Sequence, residues 1–288
     1  MGHDDRTSVK KIKCSVPILT LNSAAHLEQC LESVRDFTDV FLLDGNSTDA
    51  THSIARRYAV PVYKQVDANE SNVKISNFTD MRVKGEHLAR FDWILYLDSD
   101  EFISNKLADE IHEALSSGDS KRIFTVSKIA IMGTRVVRHS FNAPDYAPHL
   151  YNRKSGVFWK PGKLVHEKLI IPKDVPVVKL SGELYSHFIS SYGEALKKDD
   201  FYLSLTRRRM FAPGQPRAIQ AAVSSLWINF LRAGNIFYKS LNVYLRYGFR
   251  ESLPPLHVWR YVRYHLAICT YCIRKLWVAA AWRKKVTS

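Results

Sequence analysis

The chain has 288 residues, 46% hydrophobic and 24% charged, which supports a sizeable folded core and excludes a disordered chain. Of its 42 Lys and Arg, 27 lie in residues 1–200 and are matched there by 27 Asp and Glu; residues 201–288 hold 15 basic residues and one acid, Glu251, so this section carries the whole net charge of +14. A neutral body with a basic C-terminal section points to a polyanionic surface, either nucleic acid or a membrane.

In chain order, residues 1–11 read as a flexible N-terminus without the apolar stretch of a secretory signal. "CSVPILTL" (14–21) predicts a buried strand, and Asn22 or Ser23 a cap for a helix with Leu27, Leu31 and Val34 on one face. "DVFLLD" (39–44) is the next strand, followed by the turn "GNSTDAT" and a helix through Ile54 to Tyr58. A short strand "VPVYKQ", a helix near 77–90 and the strand "DWILYLD" (92–98) complete a strand–helix alternation. That alternation predicts a parallel sheet with ligands at the carboxyl ends of its strands, where Asp44, Asp98 and Asp100 fall. A helix to about Ser117, a strand over 122–133, mixed strands and loops to 190, and helices from Tyr192, broken at 212–216 and 252–256, finish the chain. Cys14 and Cys30 stand apart, and Cys269-x-x-Cys272 has no second pair, so the four read as buried thiols of a reducing compartment.

"ILYLDSDE" (94–101) runs a buried strand into three acids. Such a knot suits a divalent metal ion, Mg²⁺ or Mn²⁺, because hard cations take oxygen ligands from a rigid support. If strand geometry persists, Asp98 and Asp100 share a face and Ser99 points away. The chain has neither the glycine fingerprint of a dinucleotide site nor a P-loop, so a bound nucleotide's diphosphate must be neutralised by metal and basic side chains. That is the chemistry of a nucleotide-sugar enzyme.

"VPILTLNSAAHLEQCLESV", "DVFLLDGNSTDAT" and "WILYLDSDE", in this order, resemble the donor-binding half of family 2 glycosyltransferases. "YNRKSGVFWKPGKLVHEKL" and "SHFISSYGEALKKDDFYLSL" are similar to the subgroup that builds lipopolysaccharide core and related bacterial surface glycans. The resemblance covers residues 12–250. It implies a GT-A fold, a Rossmann-like mixed α/β sheet flanked by helices: a catalytic domain over 12–211, with a nucleotide-sugar half (12–105) and an acceptor half (106–211), and a basic, aromatic-rich helical extension over 212–288. It also implies that Thr20, Leu21 and Asn22 line a nucleoside pocket and that Asp44 accepts from the base, usually uracil. Asp98 and Asp100 match the D-x-D motif that holds the metal on the diphosphate, with Ser99 counted among the donor contacts and Arg82 near the phosphates.

Inverting transfer needs a general base, usually a carboxylate. "LVHEKL" places Glu167 in an apolar run where its proton affinity would rise, and in the similar subgroup this His-Glu pair recurs at the acceptor end. Glu167 is therefore the expected base and His166 its neighbour, with Asp145 the second candidate. His149 stands where the subgroup commonly has arginine, and Arg153 and His187 are expected to line the site.

Residues 217–285 interleave Arg and Lys with aromatic residues and hold no uncharged run long enough to span a bilayer. Such helices lie in an anionic membrane interface. The expectation is a peripheral protein on the cytoplasmic face of the inner membrane, using a UDP-sugar and a lipid-linked or lipopolysaccharide-type acceptor, with no nucleic-acid partner. Two other readings stay open: a nucleic-acid binder using the basic section, and a nucleotidyltransferase of similar fold. The first lacks recognised nucleic-acid motifs, and the second lacks a glycine-rich loop after the first strand.

Overall fold

The apolar run after Lys11 forms β1 (Ile12–Thr20), buried almost along its whole length, as a strand covered on both faces must be. The structure is a computed structural model and describes residues 11–118, 120–160, 168–189, 191–211 and 218–287. Around β1 the chain lays α1 (Leu27–Ser33), β2 (Phe37–Asp44), α2 (Thr51–Arg57), β3 (Val62–Lys64), α3 (Phe78–Leu88), β4 (Trp93–Leu95) and β5 (Leu97–Asp98). Then follow β6 (Glu101–Ile103), α4 (Asn105–Ser116), β7 (Ile123–Met132), β8 (Arg135–Val137), β9 (Asp145–Asn152), β10 (Phe158–Trp159), β11 (Leu169–Ile170) and β12 (Val177–Ile189). Three helices close the chain: α5 (Tyr192–Met210), α6 (Ala218–Tyr247) and α7 (Pro255–Thr287).

The main sheet runs β3-β2-β1-β4-β9-β7-β12-β6, with β5 also on β1 and β8 on β7. β3, β2, β1, β4 and β5 are mutually parallel, as the strand–helix alternation predicts. Beyond β4 the sheet turns antiparallel, at β9 against β4 and at β7 against β9. No helix separates β7 from β9, and without a helical crossover the chain returns antiparallel. The result is a mixed sheet.

Two local expectations need correction. α1 starts at Leu27, and neither Asn22 nor Ser23 caps it; a turn intervenes, with Ser23 O accepting from the His26 and Leu27 amides. Asn22 and Ser23 are used at the site instead. Asp98 and Asp100 do not share a strand face either, because β5 stops at Asp98 and residues 99–100 form a turn.

The chain divides into two compact units, Met1–Ala130 with Asp145–His187, and Ile131–Pro144 with Phe188–Ser288. In the first, Ile18, Leu27, Leu31, Leu97, Leu107 and Ile111 pack into one core between the sheet and helices α1 and α4. In the second, α6 and α7 pack antiparallel: His265 Nδ1 lies 2.8 Å from Asn229 Oδ1, and Tyr244 Oη donates to Leu253 O. Residues 131–144, which the sequence assigns to the acceptor half, belong here: His139 stacks on Tyr247 at 3.9 Å, and the Leu253 amide donates to His139 O. Between α6 and α7 the expected break is present, with Gly248 at φ +70; the break at 212–216 lies outside the described residues. All four cysteines are buried and free, as expected. Among the described residues no helix is long and apolar enough to cross a membrane. The second unit nevertheless exposes large side chains, with Leu245 at 78% and Trp277 at 76%.

Candidate active site

Register places the two acidic strand ends on either side of β1. Thr20 pairs with Asp44 and Leu19 with Asp98, so the two aspartates sit about 10 Å apart, two strand spacings, at the carboxyl edge.

Asp44 is buried, and protein donors occupy both its oxygens. Oδ1 accepts from Thr20 Oγ1 (2.9 Å) and Ser47 Oγ (2.6 Å); Oδ2 accepts from the Ser47 amide (2.8 Å) and pairs with His52 Nε2 (2.8 Å). Burial opposes its charge, but the donors from Ser47, His52 and Thr20 outweigh burial and hold the carboxyl below its usual range. Four partners fill the lone pairs of a carboxylate. In this structure Asp44 therefore organises the loop instead of presenting free acceptors to a base. Asn22, at φ +51, ties the end of β1 to the same loop: its amide donates to Ser47 Oγ, and its Oδ1 accepts from the Thr48 amide. Gly45 lets the backbone of residue 73 come close, since a Cβ there would lie 2.4 Å from Val73 O. The Val73 amide donates to Gly45 O at 2.7 Å, so the 66–75 segment hangs on this glycine.

The Asp98–Asp100 turn is a charge cluster. Arg82, on α3 and 4% exposed, donates from Nη2 to Asp98 Oδ1 (2.7 Å), and its guanidinium lies 4.5 Å above the Tyr96 ring. Arg82 is thus committed to Asp98, beside the expected phosphate position. Burial disfavours the Asp98 charge, but the Arg82 guanidinium prevails and keeps its carboxyl below the ordinary range. Glu101, 1% exposed, accepts from the Asp98 amide (3.0 Å) and is ion-paired with Lys128 of β7. Asp100 has no such cation bonded to it among the described residues. Burial, then Asp98, then Glu101, push its carboxyl up to about 6. Three acids face two paired cations, and Asp100 is the surplus.

A hydrogen bond joins the two loops: Ser23 Oγ and Ser99 Oγ lie 2.7 Å apart, and Ser23 Oγ also accepts from the Leu21 amide (3.1 Å). Thr20, Leu21, Asn22, Asp44, Arg82, Asp98, Ser99 and Asp100 are therefore gathered along one sheet edge. Asp145 starts β9 and is exposed; because β9 runs antiparallel to β4, it falls at that edge too. His166 and Glu167 lie outside the described residues. His187 donates its amide to Asp100 O (2.9 Å) and stacks on His26 at 4.0 Å. His149 is buried against Tyr96, and burial pushes its ring down toward neutrality. Arg153 is not a site group. It caps α3 through Glu86 O and Ala89 O and pairs with Asp92.

Sequence reasoning missed Ser23, Ser47, His52 and Lys128. Lys128 had a signal, a lone cation inside the apolar strand "RIFTVSKIAIMG". Ser23 and Ser47 reach the site through turns, which leave no periodic trace, and His52 from the first turn of α2, whose contact with Asp44 depends on the intervening loop.

Residues 15–166, more than half of the chain, match the family description "Glycosyl transferase family 2". The chain belongs to that family. This family 2 glycosyltransferase is similar to an uncharacterized glycosyltransferase of Rickettsia bellii, 27% identical and covering 75% of this chain and 74% of that one. One of Rickettsia prowazekii is 26% identical over 84% of this chain and 82% of its own. Among solved structures, S. aureus TarS 1-349 in complex with UDP superposes with a TM-score of 0.47 at 14% identity, over 95% of this chain and 92% of that one. Glucosyl-3-phosphoglycerate synthase from Mycobacterium tuberculosis, in complex with Mn²⁺, UDP and glucosyl-3-phosphoglycerate, gives 0.32 at 19% identity, over 41% of this chain and 44% of that one. The fold of this glycosyltransferase is a mixed sheet flanked by helices, with a helical C-terminal extension.

A divalent cation fits the turn by charge. Asp100 is an ionisable oxygen ligand with no cation bonded to it, and Asp98 stands two residues away. Among the described residues no group of three or more His, Cys, Asp or Glu is placed to hold a metal. Two carboxylates would be the protein's share of such a site, and a hard cation held by one or two carboxylates completes its shell with phosphates and water.

Proposed function

We propose that this family 2 glycosyltransferase transfers a hexose from a UDP-sugar, with inversion, to a lipid-linked or lipopolysaccharide-type acceptor at the cytoplasmic face of the inner membrane. The observation that carries the metal-dependent chemistry is the surplus carboxylate of Asp100 beside Asp98. Mg²⁺ or Mn²⁺ bound there supplies charge stabilisation of the departing diphosphate. The chain's own residues do the rest. The end of β1 and the Asp44 loop form one wall for the nucleoside, Arg82 fixes Asp98, and Lys128 offsets part of the negative field of Glu101. Glu167 takes the acceptor proton, with His166 beside it; Asp145, at the same sheet edge, is the alternative base. The acceptor class and the membrane face rest on the resemblance to surface-glycan enzymes and on the exposed aromatic, basic helices of the second unit.

The test is hydrolysis and transfer with a panel of UDP-sugars, with and without Mn²⁺. Wild type is expected to release UDP with the ion only. Asp100→Ala is expected to lose about two to three orders of magnitude of rate, the size of removing one electrostatic stabiliser. Turnover unchanged by chelator, or by Asp100→Ala, would refute the metal assignment. Glu167→Gln should abolish transfer while leaving UDP-sugar binding intact, and Asp145→Asn separates the two candidate bases.

A further inference from the structure

α5 and α7 lie side by side and run in the same direction, because Arg260 pairs with Asp199, Arg263 with Asp200, and Lys275 donates to Met210 O. They border a groove of about 1460 Å³. Two chemistries line it. Arg207 and Arg208 stand in the last turn of α5; Arg263 and Arg274, three helical turns apart, stand on α7. Phe211 (43% exposed) and Trp277 supply an apolar wall. Asp200 is the acid among the groove's described residues, and it is bonded to Arg263 at 2.8 Å. No described carboxylate pairs with Arg207, Arg208 or Arg274, and Arg263 Nε is buried without a hydrogen-bond partner. The groove is thus short of anionic oxygen and rich in exposed hydrocarbon.

We propose that this groove binds the phosphate of one anionic phospholipid at its Arg207, Arg208 and Arg274 end, with an acyl chain along Phe211 and Trp277, and so docks the enzyme on its membrane. The inference rests on the membrane-face reading given above and names the residues that perform it. A guanidinium matches phosphate bidentately, which makes arginine the suited cation for a headgroup. A nucleic acid would also meet the charge and find stacking faces in Tyr271 and Trp277, but a base gains little from the aliphatic Ile273 (44% exposed) and Val278 (64%) that extend the same wall. They do suit an acyl chain.

The experiment floats the full chain with vesicles of phosphatidylcholine alone or phosphatidylcholine with phosphatidylglycerol. Arg208→Gln/Arg274→Gln takes one exposed cation from each helix. Arg246→Gln/Arg250→Gln removes the same charge from exposed positions outside the groove. Wild type is expected on the phosphatidylglycerol vesicles only. The groove variant should bind about thirty-fold more weakly, the product of two cations near a charged surface, and the control less than about three-fold more weakly. Trp277→Ala should weaken binding without changing charge. Both charge variants should hydrolyse UDP-sugar in lipid-free solution at the wild-type rate, which shows them folded. Equal losses in the two charge variants would overturn the groove and leave the membrane reading standing. Wild type that floats with no vesicle would overturn both. Displacement from vesicles by millimolar inorganic phosphate, or by an oligonucleotide, would overturn the lipid assignment.

Discussion

Asp100 is an acid held where its charge is least welcome, and that can be measured. Its carboxyl titrates near 6, against an ordinary value of 3.8. Between those values the folded chain holds a proton that the unfolded chain has released, so this group's contribution to stability falls as pH rises through that window and is gone above about 6. Asp100→Asn is therefore expected to stabilise the protein at pH 7 by about 1 kcal/mol after allowance for solvent screening. That is a rise in Tm of about 2–4 °C, shrinking to nothing as pH approaches 4 and accompanied by loss of turnover. A Tm that falls at pH 7 would show that the ionised side chain is satisfied in the fold. Lys128 gives the opposite case. Glu101 is 1% exposed and depends on it, so Lys128→Met leaves a buried charge unpaired and should cost about 3 kcal/mol. Glu101→Gln in the same chain should recover part of the loss, as a double-mutant cycle in denaturant would reveal.

At the scale of the element, the strand ends were legible because hydrophobic runs ending in acids are local patterns: Asp44 and Asp98 lie where β2 and β5 stop. The geometry between them was not. Two-residue periodicity predicted a shared face for Asp98 and Asp100, but residues 99–100 form a turn, and turns obey no period. The role of Asp44 was obscured for the same reason, since Ser47 and His52 reach it from a loop and the next helix. Gly45 carries the element-scale prediction. A methyl there meets Val73 O at 2.4 Å, so Gly45→Ala must push the 66–75 segment away. A loss of about 1–3 kcal/mol is expected, with a raised KM for the donor if that segment borders the nucleoside. Unchanged stability would mean that the segment yields freely.

On the scale of the whole chain, the charge division read from composition corresponds to two kinds of surface. The first unit pairs its acids and bases around the sheet edge, Asp100 excepted. The second exposes Leu231, Tyr238, Leu245 and Trp277, each at least 64%, among unopposed arginines. The helices were legible from their spacing, but the inclusion of 131–144 in that unit was not, because it depends on backbone bonds from His139 to residues more than 100 positions later. Attraction that depends on such charges is screened within about 8 Å at physiological salt. Transfer to a membrane-borne acceptor should therefore fall steeply as salt is raised, while hydrolysis of a soluble donor stays level. Parallel salt titrations of the two activities would separate them.

On the proposed function, the Ser23–Ser99 contact makes the nucleoside wall after β1 and the Asp98–Asp100 turn thermodynamic partners. Whatever straightens one also pre-arranges the other, so nucleotide and ion should each tighten the other's binding by a common factor, as reciprocity demands. A single hydrogen bond is worth about 1 kcal/mol, which sets that factor near five-fold. Calorimetry of UDP with and without Mn²⁺ in Ser23→Ala would show how much of the synergy passes through one pair of hydroxyls and how much through the shared diphosphate.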